Sequence, residues 1–200
     1  MSDLDGLFQS IKSRIGAERA LPPVNDWHPQ HIGEIDMLID QYGDWYYRQS
    51  KIEREKLVRL FSTILRKEGE DYFLVTPVEK LKIQVVDFPF TVNLMEVRHQ
   101  DDKQAIYFLT NLGDEICLDA NHPIKYSPIQ PRQSQTAADD TPVANLPHIN
   151  VRDQLFAKIS RNVFYELANL AIDQQSDVNE SNAIGSLGVY SMGEFFPLEA

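Results

Sequence analysis

The sequence predicts an α+β fold of two related modules. Each module is expected to hold a strand–turn–strand unit, antiparallel sheet and one long packed helix. Two segments with apolar residues at helical spacing and several short alternating runs support this prediction. The chain has 200 residues, 42% of them hydrophobic and 24% charged. This composition is typical of a globular protein and excludes collagen-like, disordered and disulfide-scaffold classes.

Residues 1–20 predict an amphipathic helix that precedes the modules. Its apolar side chains recur at helical spacing: Leu4, Leu7, Phe8, Ile11 and Ile15. Gly16 is a plausible stop, and Pro22-Pro23 cannot continue a helix. We expect this helix, over 3–15, to dock on its own domain or to bind a partner. A membrane-surface helix is disfavoured because the polar face has few bases.

Residues 21–90 predict the first α+β module. Ile35–Asp40 and Trp45–Arg48 flank a turn and predict a hairpin. Ser50–Glu53 matches a capping box and predicts a helix with a stop glycine at Gly69. Short apolar runs separated by turn residues then predict antiparallel sheet over 72–75, 81–86, 91–97 and 104–110.

Residues 91–172 predict the second module. It includes a polar surface loop at 127–147, which has four prolines and few large apolar residues. Asn150 can cap a second helix from about residue 152. The apolar stripe of that helix is Leu155, Ile159, Val163, Leu167 and Leu170. Residues 173–200 predict a loosely ordered tail.

The two modules are predicted to be an internal repeat. A shift of 79 positions places Ile35–Tyr47 on Asp114–Tyr126, and a shift of 98 places Arg54 on Arg152. The difference, 98 − 79 = 19, is about the length of the polar loop. A lone hairpin and helix cannot bury its own apolar face, whereas two such units packed together can.

Charge and cysteine content restrict the class of protein further. Thirty acidic and nineteen basic residues give a net charge of −11, which disfavours binding to nucleic acid. Cys117 is the only cysteine, so no intrachain disulfide or CxxC zinc site can form. The N-terminus lacks the order of a signal peptide, and no run approaches the roughly 20 apolar residues of a spanning helix. We therefore expect a cytoplasmic protein without membrane contact.

Several long strings resemble the bacterial domain-of-unknown-function family 1285 (DUF1285). They include Leu21–Val24 with Trp27, Gly33–Met37, Leu57–Arg66, Tyr72–Lys80, Thr110–Glu115, His122-Pro123 and Val163–Leu167. The resemblance covers about residues 21–172 and implies a two-part α+β protein of repeated motifs. It implies no reaction and no cofactor, and a role in signal transduction has been suggested for the family.

The function we predict is a regulatory protein that binds a small anionic ligand or a protein partner where the modules meet. Residues 48–67 carry a net charge of 7 − 2 = +5, against 12 − 28 = −16 elsewhere. Such a patch on an acidic protein attracts anions, although a solvated helix face is the plainer interpretation. The candidate site residues are Arg54, Thr76, Glu79, Lys80, Asn111 and Asp114. Arg54 would neutralise the anion, Thr76 and Asn111 would donate hydrogen bonds, and Glu79 with Lys80 would set polarity.

Two alternatives come from other functional classes. One is an enzyme that uses Glu79 or Asp114 as a general base in a cleft between the modules. The other is an interaction module that acts through the N-terminal helix or the tail. The sequence contains no GxSxG elbow, P-loop or GxGxxG, which disfavours the common hydrolase, kinase and dehydrogenase classes.

The metal-ligating and nucleophilic side chains give weak signals. His28 and His31 are three residues apart with Glu34 and Asp36 following, but Pro29 places the pair in a loop. We therefore expect no metal site. Cys117 lies in an alternating strand beside carboxylates, which weaken a thiol nucleophile, so we expect a small strand residue.

Overall fold

The computed structural model describes residues 21–100, 103–128, 145–177 and 186–198. These residues form fourteen β-strands, two α-helices and one 3₁₀ turn, so the fold is mostly β. The predicted α+β fold with a long helix packed in each module is therefore wrong. The chain divides into two compact units, Met1–Pro89 and Phe90–Ala200, which we describe separately. The predicted helix at 3–15 lies outside the described residues.

The first unit is a six-stranded sheet made of two three-stranded meanders. The 3₁₀ turn Val24–Asp26 precedes β1 (His31–Ile39), β2 (Trp45–Tyr47) and β3 (Ser50–Lys51). Helix α1 (Glu55–Thr63) leads to β4 (Leu65–Glu68), β5 (Asp71–Val75) and β6 (Glu79–Val85). The strand order is β3-β2-β1-β6-β5-β4, and the central pair β1 and β6 is parallel.

Helix α1 is much shorter than the sequence predicts, because the residues at both of its predicted ends form β-strands instead. Ser50–Lys51 pairs with β2, and Leu65–Glu68 pairs with β5. Gly69 does not follow a helix; with a φ of +59° it starts the two-residue turn between β4 and β5. The remaining helix buries Leu57, Val58 and Phe61. Phe61 stacks on Trp45 of β2 with ring centroids 6.1 Å apart.

The second unit has a six-stranded sheet, one helix and a hairpin. Its elements are β7 (Phe90–Gln100), β8 (Lys103–Thr110), β9 (Glu115–Cys117), β10 (Ile124–Pro128), β11 (Asn145–Arg152), β12 (Leu155–Ile159), α2 (Arg161–Asp177), β13 (Gly188–Ser191) and β14 (Glu194–Pro197). The sheet order is β10-β11-β12-β7-β8-β9, with β12 and β7 parallel.

Both sheets repeat one strand topology. Each has two antiparallel three-stranded meanders, and the first strand of one lies parallel to the last strand of the other. The residue correspondences predicted for the repeat are wrong. Asp114–Tyr126 is no hairpin, because β9 pairs with β8 and β10 pairs with β11. Leu57 lies on a helix whereas Leu155 lies on a strand.

The C-terminal part of the second unit also differs from the prediction. Residues 155–159 form β12, with Leu155, Ala157 and Ile159 buried, and the helix begins only at Arg161. The predicted loop 127–147 overlaps β10 and β11 at its ends, and residues 129–144 lie outside the described residues. Residues 188–197, within the predicted tail, form the β13–β14 hairpin.

Neither helix in the described part of the chain has the length and apolar character to span a bilayer.

Candidate functional site

A cavity of about 440 Å³ lies at the start of α1. Among the described residues its lining is Arg54, Glu55, Lys56 and Leu57. Arg54 is the N-cap residue and has extended backbone angles; its carbonyl accepts from the Leu57 and Val58 N–H groups. The Arg54 side chain makes no capping hydrogen bond, so the guanidinium is not needed to start the helix. The lining thus combines two cationic side chains, one carboxylate and one apolar side chain.

The basic segment at 48–67 does not form one helix face. Arg54, Lys56 and Arg59 belong to α1 or its cap, and all three are exposed. The four other bases lie elsewhere: Arg48 in the β2–β3 turn, Lys51 on β3, and Arg66 and Lys67 on β4. Of the seven bases in this segment, Arg54 and Lys56 are among the described lining residues of the cavity.

Thr76 and Glu79 form the corner that joins β5 to β6. Thr76 is buried, and its hydroxyl oxygen accepts from the N–H groups of Val78 at 3.4 Å and Glu79 at 3.1 Å. The Thr76 N–H also donates to the Glu79 carbonyl at 2.9 Å. These bonds satisfy the backbone where Pro77 interrupts the strand. The contacts of Thr76 therefore set the shape of the corner.

Lys80 belongs to an ion-pair cluster on the sheet of the first unit. Its ammonium donates to Glu68 at 2.7 Å and lies 4.6 Å from the centroid of the Phe73 ring. Arg66 also donates to Glu68, and it donates to the carbonyls of Val24 at 2.6 Å and Trp27 at 2.9 Å. The hydrogen bond from Lys80, and then that from Arg66, lower the pKa of Glu68. This cluster holds residues 24–27 against β4.

Asn111 and Asp114 shape the turn between β8 and β9. The Asn111 side-chain oxygen accepts from the Thr91 N–H at 3.1 Å, and the Asn111 N–H donates to the Thr91 carbonyl at 2.8 Å. The Asp114 carboxylate accepts from the Thr110 hydroxyl at 3.2 Å and from Arg152 at 3.1 Å. Both side chains therefore make contacts that fix neighbouring strands.

The six predicted site residues are thus divided between the two units. Arg54, Thr76, Glu79 and Lys80 lie in the first, whereas Asn111 and Asp114 lie in the second. Of the six, Arg54 lines the cavity. A shared site where the modules meet stays a prediction.

The side chains considered above as metal ligands or as a nucleophile lie on strands and loops. In the described parts of the chain, no three His, Cys, Asp or Glu side chains converge as a metal site would require. Burial raises the pKa of the Cys117 thiol, which favours its protonated form over the reactive thiolate.

The sequence analysis missed a row of basic side chains on β10, β11 and β12. Lys125 lies directly opposite His148, and His148 lies directly opposite Lys158. A strand signal was available, because Leu155, Ala157 and Ile159 are apolar at a spacing of two residues. The register that brings the three together depends on pairing across the sheet and is not visible in the linear sequence.

Two family models match the chain. The DUF1285 N-terminal domain, a domain of unknown function, matches residues 22–88, and the DUF1285 C-terminal domain matches residues 89–198. A search of curated proteins found no match.

Two solved structures are similar to this chain. One is a DUF1285 family protein from Silicibacter pomeroyi DSS-3, with 34% identity over 98% of this chain and 94% of that chain, and a TM-score of 0.76. The other is a DUF1285 family protein from Shewanella baltica OS155, with 26% identity over 66% of this chain and 90% of that chain, and a TM-score of 0.47.

Proposed function

The chain belongs to the DUF1285 family, whose function is unknown, and we propose that it is a regulatory protein that binds a small anionic ligand. The observation that carries this proposal is the cavity at the start of α1. Its volume of about 440 Å³ falls within the roughly 300–1,000 Å³ of small-molecule sites. Signal transduction is the setting we propose, because a protein that binds a small anion can report its concentration.

Charge supports an anion as the ligand. Arg54 and Lys56 give the described lining two positive charges, and Glu55 contributes one negative charge. A guanidinium is always charged and can bind a carboxylate or phosphate through two parallel hydrogen bonds. On a protein with a net charge of −11, this local positive charge concentrates anions near the cavity. A ligand with one or two negative charges matches the lining better than a polyanion does.

Leu57 supports a ligand with an apolar part. Its side chain is buried on the inward face of α1 and contributes to the cavity wall. Ligand sites commonly combine apolar walls with a few polar groups that fix orientation. We propose that Arg54 contacts the anionic group and that Leu57 contacts the apolar part. The five other predicted site residues have a structural role in this proposal and stabilise the sheets through the bonds described above. They are Thr76, Glu79, Lys80, Asn111 and Asp114.

A thermal-shift screen against small carboxylates and phosphate esters tests this proposal. A ligand present at 100 times its Kd stabilises the folded state by about 2.7 kcal/mol, which raises the melting temperature visibly. We expect R54Q and K56Q each to weaken binding of the best compound at least tenfold. R59Q is the matched control, because Arg59 is an exposed base on the same helix and is not among the described lining residues.

Two results would contradict the proposal. One is a screen in which no anion raises the melting temperature. The other is a compound that binds the R54Q and K56Q variants as tightly as it binds the original protein. In the second case the binding site would lie elsewhere, and the cavity would have no part in it.

A further inference from the structure

The hairpin of β13 and β14 has two edges, and they differ in how their backbone groups are satisfied. On the β13 edge, the Tyr190 N–H donates to the Gln174 side chain at 3.1 Å, and the Tyr190 carbonyl accepts from the Gln104 side chain at 2.5 Å. Gln174 also donates to Gln104 at 3.0 Å. Two amide side chains therefore take the place of a neighbouring strand along this edge.

On the β14 edge, the backbone groups of Phe195 have no such partners. Phe195 lies directly opposite Tyr190, whose N–H and carbonyl point away from β14 toward the glutamines. This is therefore a non-hydrogen-bonded pair, and the N–H and carbonyl of Phe195 point away from β13. Within the described residues, no hydrogen bond reaches either group. One donor and one acceptor thus face outward, as on any free strand edge.

The side chains beside this open edge form an aromatic surface. The Tyr190 and Phe195 rings lie 5.2 Å apart, and 53% and 42% of these residues are exposed. The Phe195 ring packs so closely over Gly188 that a Cβ there would overlap it. The opposite face of the hairpin is buried through Val189 and Phe196. The ring pair is therefore on the face that a partner can reach.

Pro197 limits the length of any pairing at this edge. It stands two residues after Phe195, where the next outward-facing N–H would be, and proline has none. Its carbonyl accepts from the Tyr126 hydroxyl at 3.4 Å. Toward the turn, Gly193 has a φ of +85° and is not extended. An added antiparallel strand can therefore form two hydrogen bonds, both with Phe195.

Charge favours a different partner over a second copy of this chain. Glu194 is exposed, and no ion pair to it forms within the described part of the chain. Lys103 lies beside the turn at Gly193 but does not pair with Glu194. Two copies that each carry a charge of −11 repel each other, and two hydrogen bonds per edge are few. A strand with a basic residue opposite Glu194 is attracted instead, since opposite charges on facing residues stabilise a sheet.

We propose that the β14 edge binds an extended basic segment of a partner protein as an antiparallel third strand. One residue of that segment exchanges both hydrogen bonds with Phe195 and places an aromatic or β-branched side chain beside the ring pair. The next residue is basic and lies opposite Glu194. This edge belongs to the second unit, whereas the described lining of the cavity belongs to the first, so the proposal does not depend on the cavity.

Hydrogen exchange of the Phe195 amide, followed by NMR on the full chain, provides the readout. The probe is a blocked peptide, acetyl-TVTYKVT-amide, whose tyrosine and lysine match the two positions. In the free protein this amide should exchange rapidly, because the edge is open. We expect saturating peptide to slow its exchange at least tenfold, since a hydrogen-bonded amide must open before it exchanges.

Matched peptides and variants separate backbone pairing from charge. The peptide acetyl-TVTPKVT-amide lacks the N–H at the matched position and should not slow the exchange. E194K should weaken binding of the lysine peptide several-fold, and acetyl-TVTYEVT-amide should bind E194K better than it binds the original protein. E166K is the control, because it changes the net charge equally at an exposed acid of α2. It should leave binding of the lysine peptide nearly unchanged.

Any of four results overturns the proposal. The Phe195 amide is already protected in the free protein, the lysine peptide leaves its exchange unchanged at millimolar concentration, or the proline peptide slows exchange as strongly as the tyrosine peptide does. The fourth is protection that increases with protein concentration alone, which would identify a second copy as the occupant. The amide spectrum shows whether E194K is folded, and E194Q takes its place if it is not, with a smaller loss of affinity expected.

Discussion

The two sheets share a strand order and both contain ion pairs, but they differ in what lies opposite one of their lysines. In the first sheet, Lys80 lies 2.7 Å from Glu68 and Lys82 lies 2.8 Å from Asp71. In the second sheet, Arg98 lies 2.7 Å from Glu115, whereas Lys125 lies directly opposite His148. Paired charges hold strands together. The Lys125 charge acts differently, because it adds to the effect of burial in lowering the pKa of the facing His148.

We expect the largest loss of stability from substitution of Arg66 on β4. R66A removes bonds to two carbonyls and to Glu68 from a side chain that is 13% exposed. Leaving a buried hydrogen-bonding group without its partner costs about 1–3 kcal/mol, and two carbonyls lose their donor here, so we expect a loss near the upper end in urea denaturation. R66K should recover part of this loss, because it restores the charge but not the forked geometry. A loss below about 1 kcal/mol would show that the cluster does not hold residues 24–27.

We expect the next largest loss of stability from substitution of Glu68, and this loss depends on pH. Lys80 and Arg66 lower the pKa of Glu68 below its unfolded value of 4.5. The stabilisation is therefore fully present above pH 4.5 and is lost as pH falls through the lowered pKa. Because Glu68 is 37% exposed, solvent screening reduces the loss in E68Q to about 0.5–1 kcal/mol. Urea denaturation of both proteins at pH 7 and pH 3 should show a difference that is no larger at pH 3, and that decreases once the pH falls through the lowered pKa.

A carboxylate placed opposite His148 tests the comparison directly. K125E replaces the facing lysine of β10 with an acidic side chain. We expect the pKa of His148 to rise, because burial still lowers it but the charge of Lys125 no longer does. In the original protein, the lowered pKa of His148 means that stability decreases as pH falls below the unfolded value of 6.5. Melting temperatures between pH 7.5 and pH 5 should fall less steeply in K125E, and an equal slope would contradict this account.

We expect the smallest loss of stability from substitution of Lys82. Its ion pair with Asp71 is exposed at both ends, with 42% and 50% of the side chains accessible. Exposed pairs of this kind are screened by water and salt and contribute little to stability. K82Q should therefore have the same melting temperature as the original protein within error. A clear decrease would show that charge pairing matters across the whole first sheet and not only in the Glu68 cluster.

Elements whose signals are local in the chain were predictable. The hairpin of β1 and β2 was predicted from two alternating runs around a turn, and the structure confirms it. Asp40 accepts from the Tyr42 and Asp44 N–H groups, and Gly43 has a φ of +81°. A short polar side chain and a glycine at fixed spacing thus determine this turn within five residues.

Elements whose identity depends on distant partners were not predictable. Leu155 and Ile159 are four residues apart, a spacing that fits a helix period of 3.6 and a strand period of 2 equally well. This segment forms a strand because it pairs with β7 and β11. Gly69 likewise suits the end of a helix and a hairpin turn, and the pairing of Leu65 with Leu74 decides for the hairpin.

The candidate sites divide in the same way. The sequence alone selected Arg54 as a candidate binding residue, because a basic residue beside an amphipathic segment is a local pattern. It also determined the family and the local turns. Only the tertiary structure placed a cavity beside Arg54 and brought Lys125, His148 and Lys158 into register. The physical reason is that strand register and cavity walls arise from contacts between residues far apart in the chain, which no local spacing encodes.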